Sequence, residues 1–150
     1  MKILIDADAC PVVDEAIQLS KKYGLMIAVI CDTSHEIRRE GCETLIADKG
    51  ADSADLLLLS RVCEGDIVVT QDYGLAALCL ARRAHALNQN GLVYTDRNID
   101  ELLFSRYASK KIRQAGGHTK GPPKRRREND LAFIRALENL IIQNINKDKE

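Results

Sequence analysis

Aromatic side chains are scarce in this chain: two Phe, four Tyr and no Trp in 150 residues. Of these only Tyr107 falls in the basic segment described below, so a surface that reads bases mainly by stacking is not expected. The cysteines, Cys10, Cys31, Cys42, Cys63 and Cys79, are odd in number, widely spaced and lack a CxxC pair. They support neither a disulfide framework nor a thiolate zinc site. Cys31, Cys63 and Cys79 lie in apolar surroundings and read as small core residues. Only Cys10, beside two acids, is a candidate for a role. No serine or cysteine nucleophile with a matching base is evident. No apolar run approaches the roughly 20 residues that span a bilayer, and the N-terminus enters a strand without a signal-peptide pattern. The expectation is a reduced, cytoplasmic protein with no membrane contact.

What is present is a hidden charge asymmetry. The formal net charge is zero, yet residues 1–105 carry 10 Lys+Arg against 17 Asp+Glu. Residues 106–127 carry nine Lys+Arg and no acid, and residues 128–150 carry three against five. An acidic body with one dense basic segment suggests metal chemistry beside an arm that binds a polyanion.

The chain is the right size for one domain with a real core. Ile3-Leu4-Ile5, Met26 to Cys31, Thr44 to Ala47, Ile67 to Thr70 and Leu92-Val93-Tyr94 read as buried strands. Helical spacing follows Pro11 up to Gly24 and recurs from Asp52 to Cys63, from Leu75 to Ala84 and from Asn98, with Leu102, Leu103, Phe104 and Tyr107 as its buried positions. A last helix opens at Glu128 with Leu131, Phe133, Ile134, Leu137, Leu140 and Ile141 as its apolar stripe. This alternation predicts an α/β, three-layer fold with a mostly parallel sheet of about five strands flanked by helices. The expected domain is 1–143, with a basic loop over 114–127 and a frayed polar tail over 144–150.

The first strand ends in Asp6 and Asp8 around one alanine, so both carboxylates leave the strand end on one side. Two such charges about 4 Å apart repel by roughly 4 kcal/mol at an effective dielectric near 20. A bound cation relieves that repulsion. Other acids stand at related positions: Asp48 after the third strand, Asp52 and Asp55 at a helix start, and Asp72 after the fourth strand. Parallel strands deliver their carboxyl ends to one rim, so these distant segments can share a pocket. Asp52 alone would be explained as a helix cap; cap duty explains one aspartate, not two. Oxygen ligands without His or Cys select Mg²⁺ or Mn²⁺, and such ions activate water against a phosphodiester.

At these residues the chain resembles known families. Asp6, the segment Ala51-Asp52-Ser53-Ala54-Asp55 and Val68-Val69-Thr70-Gln71-Asp72-Tyr73-Gly74 look like the acidic motifs of PIN-like nuclease domains. More specifically, Ile5-Asp6-Ala7-Asp8-Ala9-Cys10-Pro11-Val12, Asp32-Thr33-Ser34-His35, Gly50 to Asp55 and His118-Thr119-Lys120-Gly121-Pro122 resemble the YaiI/YqxD family of small bacterial proteins, over about residues 1 to 142. The PIN resemblance implies a PIN-like fold and makes Asp6, Asp55 and Asp72 the catalytic metal ligands, with Asp8 and Asp52 adjacent. For that pattern's second acid, Asp48 and Glu36 are only poor candidates.

His118, Thr119, Lys120, Lys124, Arg125, Arg126 and Arg127 form a glycine- and proline-framed basic run suited to phosphate oxygens. Binding through it would be led by the backbone of a nucleic acid, RNA first, and would weaken steeply with salt. The alternative is a solvated linker or a clamp on the protein's own acidic rim. His35 reads as a turn residue or a phosphate contact, and a homo-oligomer is compatible with the sequence. Three functions follow. The first is a Mg²⁺- or Mn²⁺-dependent nuclease. The second is a non-catalytic nucleic-acid-binding or regulatory protein on the same fold. The third is a haloacid-dehalogenase-type phosphatase with Asp6 as nucleophile, Asp8 as acid and Lys49 among its later residues.

Overall fold

The computed structural model describes residues 1–50, 52–118, 121 and 123–150. Among them are five strands: β1 (Lys2–Asp6), β2 (Met26–Asp32), β3 (Glu43–Ala47), β4 (Ile67–Val69) and β5 (His85–Leu87). They stand in the order β3-β2-β1-β4-β5, every neighbour parallel. The helices are α1 (Val13–Tyr23), α2 (Ser53–Arg61), α3 (Tyr73–Ala81), α4 (Asp96–Gln114) and α5 (Arg127–Asp148). None is long and apolar enough to cross a membrane among the described residues.

The central strand is apolar on both faces, as a parallel strand covered by helices must be. Ile3 and Ile5 pack with α1 and with Phe133, Leu137 and Ile141 of α5. Leu4, pointing the other way, packs with Leu58 of α2, Leu75 and Cys79 of α3, and Ile99 of α4. The result is the expected three-layer α/β sandwich. α1 ends at Gly24 in the left-handed conformation, φ 65°, whose N–H closes onto Lys21. At the same rim, that of the strands' amino ends, Asp66, buried just before β4, accepts from the backbone N–H groups of Lys2 (3.0 Å) and Cys63 (2.8 Å) and pairs with the Lys2 ammonium. These bonds fix the register of β1 against β4.

Four local expectations are revised. The fifth strand is His85–Leu87 rather than Leu92-Val93-Tyr94. The latter run folds back along β5, with Tyr94 N–H on Ala86 O (2.9 Å) and an antiparallel bridge from Val93 to Leu87. Gly91, at φ 85°, makes that return against the backbone of α5. In α4, Phe104 and Tyr107 are exposed, not buried, because the helix runs past the body after Leu103. Cys63 is exposed at the end of α2, whereas Cys31 and Cys79 are buried as expected. Residues 144–148 continue α5, and Asn144 is buried with its amide on Leu140 O (2.8 Å).

The connection from β1 leads to β2 on one side, while β3 returns through α2 to β4 on the other. Strand order therefore reverses between β1 and β4. In open parallel sheets the crevice outside the carboxyl ends at such a reversal is where ligands bind.

Candidate functional site

At that reversal the two strand ends are joined by Thr70, one residue past β4 and only 1% exposed. Its hydroxyl donates to Asp6 Oδ2 (2.8 Å) and accepts from the backbone N–H of Asp72 (3.0 Å). Its own N–H donates to Leu87 O (3.0 Å), and its carbonyl accepts from the Tyr94 hydroxyl (3.0 Å). Every polar atom of Thr70 is engaged, so Asp6 and Asp72 are anchored to one rigid point.

Asp72 is the N-cap of α3, its Oδ1 accepting from Leu75 N–H (3.1 Å). Asp52 occupies the N-cap position of α2 at φ 66° but makes no capping bond with its side chain. Cap duty thus accounts for Asp72 rather than for Asp52. One turn on, Asp55 is pushed up to about 6, first by burial, then by the charges of Asp72, Asp6 and Asp52 and by a hydrogen bond shared with Asp72. Asp6 is raised as well, chiefly by burial, with the charges of Asp8 and Asp72 adding to it and the Thr70 bond opposing it. A carboxyl raised by burial and by the charges of three neighbouring aspartates marks a place where negative groups converge.

Around these residues opens a cleft of about 980 Å³. Among the described residues it is lined by eight carboxylates, from Asp6, Asp8, Asp32, Glu36, Asp48, Asp52, Asp55 and Asp72, against one arginine, Arg106. The aspartates singled out in the sequence therefore share one cavity, and Asp48 and Glu36 line it too. Asp32 is not among the rim acids named from the sequence. It ends β2, and the rule that strand ends meet at one rim was enough to find it. Its Oδ1 accepts from Ser34 N–H (2.8 Å) and His35 N–H (3.0 Å), which brings His35 to the cleft wall. Lys49 is exposed and is not among the lining residues. Cys10 also lines the cleft, but burial pushes its thiol up, away from the thiolate a nucleophile requires.

The donor set suits a hard divalent cation in chemistry and charge: carboxylate oxygens, well in excess of the one arginine that lines the cleft among the described residues. Among the described residues, however, no three Asp, Glu, His or Cys side chains are grouped closely enough to hold a metal as they stand. Chelation would require side-chain rotation within the cleft.

The basic run divides. Arg125 is committed to the fold: it pairs with Asp130 (2.6 Å) and donates to Gln89 O (2.9 Å) and Asn90 Oδ1 (2.7 Å). It fastens the loop ahead of α5 to the turn after β5. His118, Lys124, Arg126 and Arg127 are exposed. Thr119 and Lys120 lie outside the described residues.

Comparison with known proteins agrees in length and breadth. The family model described as "Uncharacterized BCR, YaiI/YqxD family" matches residues 4–143. A UPF0178 protein of Exiguobacterium sibiricum is 50% identical over 143 residues, covering 95% of this chain and 98% of its own. Another, of Ruminiclostridium cellulolyticum, is 55% identical over 138 residues, covering 91% and 90%. A third, of Alkaliphilus oremlandii, is 45% identical over 147 residues, covering 98% and 95%. No solved structure matches the chain.

Proposed function

The chain belongs to the YaiI/YqxD family, and we propose that it is a divalent-metal-dependent phosphodiesterase of PIN-like type, acting on nucleic acid with RNA as its first substrate. The observation that carries this reading is the convergence of Asp6, Asp52, Asp55 and Asp72 in one cleft, where burial and then the neighbouring charges raise the Asp55 carboxyl and a single arginine lines the wall among the described residues. Asp6, Asp55 and Asp72 would hold the metal, Mg²⁺ or Mn²⁺, with Asp8 and Asp52 beside them. A divalent ion held there would make a bound water more acidic and neutralise charge on the phosphoryl oxygens. The protein's own part is preorganisation. Thr70 holds Asp6 and Asp72, and Asp55 would complete the ligand set as a carboxylate. His118, Lys120, Lys124, Arg126 and Arg127 hold the phosphate backbone, which makes binding dependent on salt.

The test is calorimetric titration of Mn²⁺ together with cleavage of a labelled single-stranded RNA. Wild-type protein is expected to bind Mn²⁺ in the micromolar range and to cleave only with the metal. Asp55→Asn and Asp72→Asn should lose both. Tight RNA binding by wild type and by both variants, with no cleavage in Mn²⁺, would instead favour the non-catalytic binding protein. Phosphate trapped covalently on Asp6 would favour the phosphatase.

A further inference from the structure

α4 changes character along its length. Ile99, Leu102 and Leu103 lie on one side of the helix, at spacings of three and four, and pack with the cluster beneath α3. The same side continues through Arg106, Lys110 and Arg113, again three or four residues apart. It turns from apolar to basic where the helix leaves the body. Arg106 at the turning point lines the aspartate cleft. Neither Arg106 nor Lys110 has an ion pair or hydrogen bond among the described residues, although eight carboxylates line the cavity Arg106 borders. An arginine that borders such a cavity and pairs with none of its acids leaves room for an anion between them.

We propose that this basic side of α4 is a rail that holds consecutive phosphates of a single-stranded polynucleotide and leads the strand over the cleft, with Arg106 as the last contact before the aspartates. The proposal rests on the phosphodiesterase reading of the cleft and narrows its substrate from nucleic acid in general to a single strand of several nucleotides. Arg106 and Lys110 are about 6 Å apart along the helix axis, a step of the same order as one nucleotide of an extended strand. On the neighbouring row Tyr107 is 57% exposed, with the Lys111 ammonium 5.4 Å from its ring centre. That ring gives an unpaired base a stacking surface, which a duplex could not use. Charge complementarity selects the occupant: residues 106–127 carry nine cations and no acid.

The experiment is fluorescence anisotropy of a labelled single-stranded oligouridylate with the full-length chain in EDTA, at several salt concentrations. Arg106→Ala and Lys110→Ala should each lower the slope of log affinity against log salt by about 0.7, the value for one phosphate contact on a single strand. Tyr107→Ala should weaken binding about tenfold, and Tyr107→Phe should restore it. Arg135→Ala, on the exposed side of α5, serves as the control and should change neither quantity. Unchanged slopes for both α4 variants would overturn the rail. So would equal affinity for duplex, tighter binding to anionic vesicles than to the oligonucleotide, or self-association abolished by Lys110→Glu. Because the binding assay contains no metal, absence of Mn²⁺-dependent cleavage while both α4 variants lower the slope as expected would sink the catalytic reading alone.

Discussion

The hydroxyl of Thr70 reaches across from the end of β4 to Asp6 at the end of β1, a hydrogen bond of 2.8 Å. It spans the place where strand order reverses, and the same oxygen accepts from Asp72 N–H. One buried threonine thus sets the separation of two acids that are 66 residues apart in sequence.

Thr70→Val keeps the shape and removes the hydroxyl. It leaves the Asp72 N–H without its acceptor and takes one donor from a half-buried carboxylate, so a loss of about 1–3 kcal/mol is expected. Thr70→Ser keeps the hydroxyl and should cost less. Urea denaturation of both variants measures this, and a valine variant as stable as wild type would refute the anchoring role.

Asp55 makes stability depend on pH with a definite sign. Its carboxyl stands at about 6 in the folded chain against a reference of 3.8. Between those values the folded state holds a proton that the unfolded chain has released, so stability falls as pH rises from about 4 to 6 and stays lower above. Allowing for solvent screening, the effect is about 1–2 kcal/mol. Asp55→Asn should remove that part of the pH dependence and raise the melting temperature at pH 7.5 in EDTA. Carbon-detected NMR titration of the aspartates gives the same midpoint directly. A midpoint near 4 would mean that the carboxylates do not converge.

Much of this was legible in the sequence, because buried parallel strands announce themselves as short apolar runs and their carboxyl ends must share a rim. That logic brought Asp6, Asp8, Asp48, Asp52, Asp55 and Asp72 together before any coordinates. It failed where tertiary pairing overrides propensity. His85-Ala86-Leu87 has little strand character of its own and becomes β5 only by pairing with Ile67, Val68 and Val69. Leu92-Val93-Tyr94 has the better strand residues, yet Gly91 turns it back. Phe104 and Tyr107 match the helical apolar spacing, but periodicity does not say where a helix outruns its partner. Arg125 looks like its basic neighbours until Asp130 and the Gln89 carbonyl are seen beside it.

Arg125 should therefore behave unlike Arg126 and Arg127. Its guanidinium ties the start of α5 to the turn at 89–90 through three partners, so Arg125→Ala is expected to cost about 1–3 kcal/mol. Arg126→Ala and Arg127→Ala, both exposed, should cost less than about 0.5 kcal/mol and weaken polynucleotide binding instead. Thermal melts beside anisotropy separate the two classes. A stable Arg125→Ala that loses only binding would reassign it to the interface.

Gly91 carries the sharpest packing prediction. Its φ of 85° is one that side chains rarely adopt, and a Cβ added there would lie 2.5 Å from Ala132 O and 2.8 Å from Ala132 C, in the backbone of α5. Backbone cannot rotate aside as a side chain can, so α5 must shift, and with it the packing of Phe133 against the sheet. Strain and overpacking together predict a loss of about 3 kcal/mol or more for Gly91→Ala. Gly24→Ala supplies the control, because φ there is also positive, 65°, but nothing lies within 4 Å of the added carbon. It should cost about 1 kcal/mol from backbone strain alone. Equal losses in chemical denaturation for the two variants would mean that α5 yields freely at Ala132. A larger loss at Gly91 identifies the close approach of turn and helix as the contact that holds α5 to the β5 edge.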